Sequence, residues 1–195
     1  MMSTLPNPVL ITADNEKLAA LLWESRARFL GSFADVTEED CRTSPAAGAW
    51  SVLDCVEHVA AAETLMLKLL QGQRRPRAVD APNREQIFLE RMGSRSRKAE
   101  SPESGRPIGR FASLADASNQ FELSRAAAIR FAEQNTEDLR ATEVTHPHPL
   151  VGDVSAYEML IIMAKHAERH ALQIEEIKIN LGLRTAQLTS QISHG

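Results

Sequence analysis

Apolar residues recur at three- and four-residue intervals in four long stretches of the chain, the spacing of helices that bury one face. The first stretch starts near Thr12 or Asp14 and runs to about Phe33. Asp14 is its candidate N-cap, and Leu18, Leu21, Leu22, Ala27 and Leu30 form its stripe. The second is VLDCVEHVAAAETLMLKLL. Ser51 caps it with Asp54 three residues on, an acidic variant of the capping box, and QGQRRP stops it after about Leu70. Ser113 caps the third, in which Leu114, Ala117, Phe121, Ser124, Ala128 and Phe131 share a face. The fourth begins around Val154 to Ser155 and continues to Asn180–Leu181, where Gly182 ends it.

The connections are uneven. VTEEDCRTSPAAGAW and TEDLRATEVTHPHPLVGD read as loops, and residues 84–98 read as a shorter, more polar helix. ESPESGRPIGR is the most loop-like segment of the chain. No pair of strands and no internal repeat stands out. The pattern predicts an all-α four-helix bundle with an extra short helix or long loop between the second and third bundle helices. Its connections are long enough to depart from a simple up-down order. Residues 1–182 form this one domain, and 183–195 form a C-terminal tail with little apolar periodicity.

Composition narrows the partners. The chain has 195 residues, 43% of them hydrophobic, and a net charge of −4 with both signs interspersed. That balance gives no footprint for nucleic acid or a membrane surface. No run reaches the ~20 apolar residues of a membrane span. MMSTLPNPVLITADNEK lacks the basic start and apolar core of a signal peptide, so a cytoplasmic location is expected. Cys41 and Cys55 form no CxxC pattern and are expected as free thiols in a reducing compartment.

Three histidines are the candidate chemistry. His166 and His170, four apart in AKHAERHALQIEEIKIN, lie one turn apart on one helix face. That face also carries Met159, Ile162, Met163 and Ile177, while Lys165, Arg169 and Glu176 point elsewhere. At about 100° per residue, Cys55, Ala61, Ala62, Leu65 and Leu69 flank His58 on the second helix. Three inward imidazoles among apolar side chains need partners, and one divalent ion would satisfy a nitrogen of each. On the residues alone, three separately satisfied core histidines remain an equal alternative. The residue after His166 is Ala167, so the HExxH motif and its general-base glutamate are absent.

Other residues have supporting roles or none. Asp54 can accept from the His58 ring or simply cap its helix. Gln173, one turn after His170, can line a site. His146 and His148, between prolines in THPHP, belong to a rigid exposed loop or supply a rim ligand. Trp50 reads as a loop anchor, and Cys55 as a small buried hydrophobe. Glu63 projects to the far side of its helix from His58 and is not counted as a ligand.

GAWSVLDCVEHVAAAE and HPHPLVGDVSAYEMLIIMAKHAERHALQIEEIK resemble the DinB family of bacterial proteins. The likeness lies in a tryptophan and capping serine shortly before a helical histidine, then a Pro, Leu and Gly turn leading to H-x-x-R-H-x-x-Q-I. Residues 73–112 add nothing to it. The resemblance to DinB/YfiT-like metalloenzymes implies a four-helix bundle, often a homodimer, with nickel or zinc on His58, His166 and His170. It also implies a small-molecule substrate, with either a thiol-dependent transferase or isomerase, or a hydrolase. Three neutral ligands leave the ion its full charge, which suits activation of a low-molecular-weight thiol or a water. The lack of a general base beside the histidines leans toward the thiol. A non-catalytic metal-binding dimeric bundle is the competing class. Leu53, Leu67, Ile161 and Ile174, off the histidine faces, are the expected dimer residues.

Overall fold

The computed structural model describes residues 8–95 and 105–183. Four helices make the expected bundle: α1 (Pro8–Phe33), α2 (Val52–Gln71), α4 (Leu114–Gln134) and α5 (Ala156–Leu181). The short α3 (Glu85–Arg91) lies between α2 and α4. The segment expected as helix over 84–98 thus yields under two turns, and residues 96–98 fall outside the described residues, as does the tail from residue 184.

The helix starts fall where the sequence put them for three of the four helices. Ser51 and Asp54 form a reciprocal capping box on α2, Ser155 and Glu158 form one on α5, and the Ser113 hydroxyl accepts from the Asp116 amide at the start of α4. Gly182, at φ +70°, takes the left-handed conformation that closes α5. The first helix is the exception. It begins at Pro8, so Asp14 is no cap but an internal residue whose carboxylate pairs with Arg140. Its buried face also differs from the expected stripe. Ala27 is exposed, while Ser25, Phe29 and Ser32 are buried with Leu18 and Leu22. The two serines lie inside because each hydroxyl donates to a carbonyl one turn back, Leu22 O at 3.1 Å and Phe29 O at 2.7 Å.

In the bundle, α1 packs on α4 and α5, and α2 packs on the same two helices. Helices consecutive in the chain, α1 with α2 and α4 with α5, therefore lie across diagonals. This is the departure from up-down order that the long connections predicted.

A small antiparallel sheet corrects the expectation of no strand pairing. Strands β1 (Arg75–Pro76), β2 (Thr142–Thr145) and β3 (Asp153–Ser155) are two to four residues each, in the order β1-β2-β3. Runs so short carry no readable alternation. Glu158 organises this end of the molecule. Its buried carboxylate accepts from Arg77 Nη1 at 3.0 Å, from the Arg84 amide at 2.7 Å and from the Ser155 amide at 2.8 Å.

The sheet and α3 cover the outer side of α5, and every residue from Val154 to Ala164 is buried. Phe88, Val144 and Val154 share one apolar cluster with Leu67 and Ile161. Leu53 and Ile174 belong to a second, around Phe29 and Phe121. The four residues expected at a dimer interface are thus absorbed by the core of one chain. Leu65, expected beside His58, is 41% exposed.

The centre of the bundle holds one ion pair. Arg125 and Glu63 are both fully buried. The guanidinium donates to Glu63 through Nε at 3.1 Å and Nη2 at 2.5 Å, to Leu22 O at 3.0 Å, to Met163 O at 3.1 Å and to the Ser25 hydroxyl. Five donor contacts reach α1, α2 and α5 from α4, so one side chain ties all four helices.

Candidate metal centre

The two capping boxes start the two helices that carry the histidines, and α2 packs against α5. His58 lies two turns into α2, and His166 and His170 lie midway along α5. Their ring centroids are 4.9 Å (His58–His166), 4.7 Å (His58–His170) and 4.6 Å (His166–His170) apart, with the planes inclined by 62–72°. The rings form a near-equilateral triangle, each edge-on to the others. One ring nitrogen from each falls within 4.8 Å of the other two, an arrangement that could hold a metal ion. His58 and His170 are 6% exposed and His166 somewhat more.

The nitrogens satisfy one another only in part. His58 Nδ1 donates to the Gly105 carbonyl at 2.5 Å, which leaves its Nε2 as an acceptor, 3.0 Å from His166 Nε2. His166 Nδ1 and His170 Nδ1 are buried with no hydrogen-bond partner among the described residues. Burial holds all three rings below the ordinary histidine pKa, and His166 and His170 well below it. After burial, His58 feels the Gly105 carbonyl, which opposes the shift, and the other groups that bear on the rings are imidazoles and the guanidiniums of Arg95, Arg110, Arg125 and Arg169, not carboxylates. The rings are therefore neutral at pH 7, the form in which imidazole ligates a metal. Three neutral, close-set imidazoles with under-satisfied nitrogens fit a divalent ion, and His58, His166 and His170 are the residues that would hold it.

The structure sorts the remaining candidates. Asp54 does not serve His58. Its Oδ2 accepts from the Ser51 amide and hydroxyl, both at 2.8 Å, and the Gly105 carbonyl takes the ring proton instead. Gln173 accepts from Arg95 Nη1 at 3.1 Å, and Arg95 also chelates Glu176. His146 and His148 are half-buried rather than exposed, within a loop closed by the His146 amide donating to Gly152 O at 3.0 Å. His146 Nδ1 accepts from the His148 amide, and burial lowers its pKa to about 4. A charge on His146 would further oppose protonation of His166, yet His146 is not one of the clustered ligand atoms. Trp50 does more than anchor a loop. Its ring stands 5.0 Å from His58 and stacks on His170 at 6.1 Å with planes 18° apart, walling the triad on one side.

Sequence reading missed Glu57, Gly105 and Arg110. Glu57 is almost wholly buried although charged, and its carboxylate accepts from the Ile108 amide at 2.6 Å, the Arg110 amide at 3.0 Å and Arg110 Nη1 at 2.8 Å. The available signal was an acid between apolar residues of the helical run, directly before the histidine.

Fold and site together define a helical bundle with three inward histidines able to share one metal ion. The sequence model of the DinB superfamily matches residues 21–174, and the chain belongs to that superfamily. Among solved structures it is similar to YfiT from Bacillus subtilis, described as a probable metal-dependent hydrolase with an unusual four-helix bundle topology. The two are 16% identical with a TM-score of 0.56, over 86% of this chain and 87% of that one. At that identity the likeness speaks for the fold. No curated protein matches. Among the described residues, no helix is long and apolar enough to cross a membrane.

Proposed function

We propose that this chain is a metal-dependent enzyme in which His58, His166 and His170 hold one zinc or nickel ion and a small nucleophile is activated there. The observation that carries this reading is the triangle of neutral imidazoles whose nitrogens lie within 4.8 Å of one another. When bound, the ion supplies Lewis acidity, lowering the pKa of a thiol or water that reaches it. The protein's own residues do the rest. Burial keeps the ligands neutral, the Gly105 carbonyl orients His58, and Trp50 limits water on its side of the triad.

The leading chemistry is transfer of a low-molecular-weight thiol to a small electrophilic substrate. A thiol ionised by the ion needs no carboxylate base, and none ranks among the groups acting on the rings. Hydrolysis is the second reading, favoured by the structural likeness to YfiT. A homodimer belongs to this proposal on family resemblance alone, and light scattering at micromolar concentration tests it.

The deciding assay screens purified protein, metal-loaded and chelated, for thiol conjugation to electrophiles and for ester and amide hydrolysis. Turnover that needs zinc or nickel and vanishes in His166→Ala, with helix content kept, is the expected result. Full activity in chelated protein sinks the catalytic role. Unfolding on metal removal, with no small ligand able to reach the ion, points to a purely structural site.

A further inference from the structure

We infer that Glu57 is a positioning residue for the triad, acting through the backbone of residues 105–110 to fix which nitrogen of His58 faces the other two rings. The inference rests on the metal reading above. Its basis is a chain of contacts. The Glu57 side chain leaves α2 next to His58 yet makes no contact with the His58 ring. Its two oxygens take the amides of Ile108 and Arg110 and the Arg110 guanidinium, and Arg110 Nη1 also donates to the Arg106 carbonyl at 2.9 Å. The segment is thereby strapped to α2. Its first residue, Gly105, presents the carbonyl that accepts from His58 Nδ1 at 2.5 Å.

Glu57 and Gly105 are thus two ends of one device. The carboxylate fixes the strap, and the strap fixes the imidazole. Sequence explains why a device is needed. The segment GRPIGR offers two glycines and a proline and no apolar anchor packed in the core, since Ile108 is 74% exposed. Among the described residues, the Glu57 carboxylate makes the hydrogen bonds that hold this segment against α2. The proton on Nδ1 directs the Nε2 lone pair at His166, and a hydrogen-bond acceptor behind a ligating imidazole sets its tautomer and orientation. His166 and His170 have no such acceptor at Nδ1 among the described residues. Among the described residues, His58 is the ring whose Nδ1 has an acceptor, so the strap acts on the triad through it.

Two readouts test this, besides activity. Long-range imidazole 1H–15N spectra of the metal-free protein read the His58 tautomer, and zinc titration against a competing chelator reads affinity. In the wild type, His58 should be a single tautomer with its proton on Nδ1. Glu57→Ala should turn it into a mixture and weaken zinc roughly 10–100-fold, with helix content unchanged. Glu57→Gln keeps the volume and one acceptor oxygen, so it should fall between the two, and it decides the matter where the alanine variant does not fold. A single tautomer and wild-type zinc affinity in both variants would overturn the positioning role. Wild-type protein that binds zinc no better than a His58→Ala/His166→Ala variant would instead overturn the metal reading. The spectra would then still show whether Glu57 orients the ring.

Discussion

Two polar clusters share the interior of this bundle, and they are satisfied in opposite ways. Arg125 and Glu63 form a closed set in which the guanidinium makes five donor contacts across four helices and both carboxylate oxygens are engaged. The three histidines, carried by α2 and α5, leave two buried nitrogens without partners among the described residues and join two others in one hydrogen bond at 3.0 Å. A buried polar group left unmatched destabilises a fold unless something else meets it. The closed cluster is what a structural role looks like in this protein. The open one has the incompleteness of a binding site, and the two can be separated by what their removal does.

The largest effect belongs to the closed cluster. Arg125→Ala leaves Glu63 buried without its cation, and breaking a buried pair from one side destabilises by about 3–5 kcal/mol. Desolvation already pushes the Glu63 pKa up with Arg125 present, so the stranded acid should take a proton in the variant. Arg125→Met with Glu63→Leu should recover much of the loss, because the apolar replacements leave no charge behind. Urea denaturation of the single and double variants measures both. If Arg125→Ala cost under ~1 kcal/mol, the pair would be no clamp.

The open cluster should respond to metal, not to truncation. Zinc at a hundredfold excess over its dissociation constant should stabilise the wild type by about 2.7 kcal/mol. His166→Ala should abolish that gain while costing the metal-free protein only about 1–2 kcal/mol, since it loses the hydrogen bond between His166 Nε2 and His58 Nε2 but an Nδ1 that has no partner among the described residues. Thermal melts with and without zinc decide this. A large loss of metal-free stability in His166→Ala would make the triad structural, erasing the contrast with Arg125.

The two clusters also differ in how far they were legible. His58, His166 and His170 could be read because helical spacing alone puts them on inward faces, and a recognisable motif surrounds them. The Glu63–Arg125 clamp was not legible. Glu63 projects away from His58, which correctly removes it as a ligand, but projection on one helix cannot show that its far side meets Arg125 of another. The same limit hid the strap, since a carboxylate at position 57 and amides at positions 108 and 110 meet only through tertiary packing. The choice of residues for a dimer interface was mistaken for a related reason. Leu67 and Ile161 looked surplus to a bundle core because the sheet and α3, whose residues share their cluster, were too short or too polar to foresee, while Leu53 and Ile174 meet the cluster around Phe29 and Phe121 only through packing between helices. The start of α1 was misplaced because Asp14 has the chemistry of a cap, whereas Arg140 gives it a use inside the helix.

The smallest effect sharpens the contrast within a single helix. Asp54 and Glu57 both lie within about one turn of His58, and the sequence offered Asp54 as a helix cap or, second, as an acceptor for the ring. In the structure Asp54 closes the capping box with Ser51, while the ring proton goes to Gly105. A lost cap is worth about 1 kcal/mol and acts on the helix start, not on a ring more than one turn away. Asp54→Ala should therefore lower stability by about that much and leave zinc affinity within twofold of wild type. Glu57→Ala should do the reverse in affinity, because its carboxylate holds the carbonyl that orients the ligand. Parallel denaturation and zinc titration of the two variants make the comparison. Equal losses of affinity would mean that any fraying of this end of α2 disturbs the triad, and that the strap has no separate role.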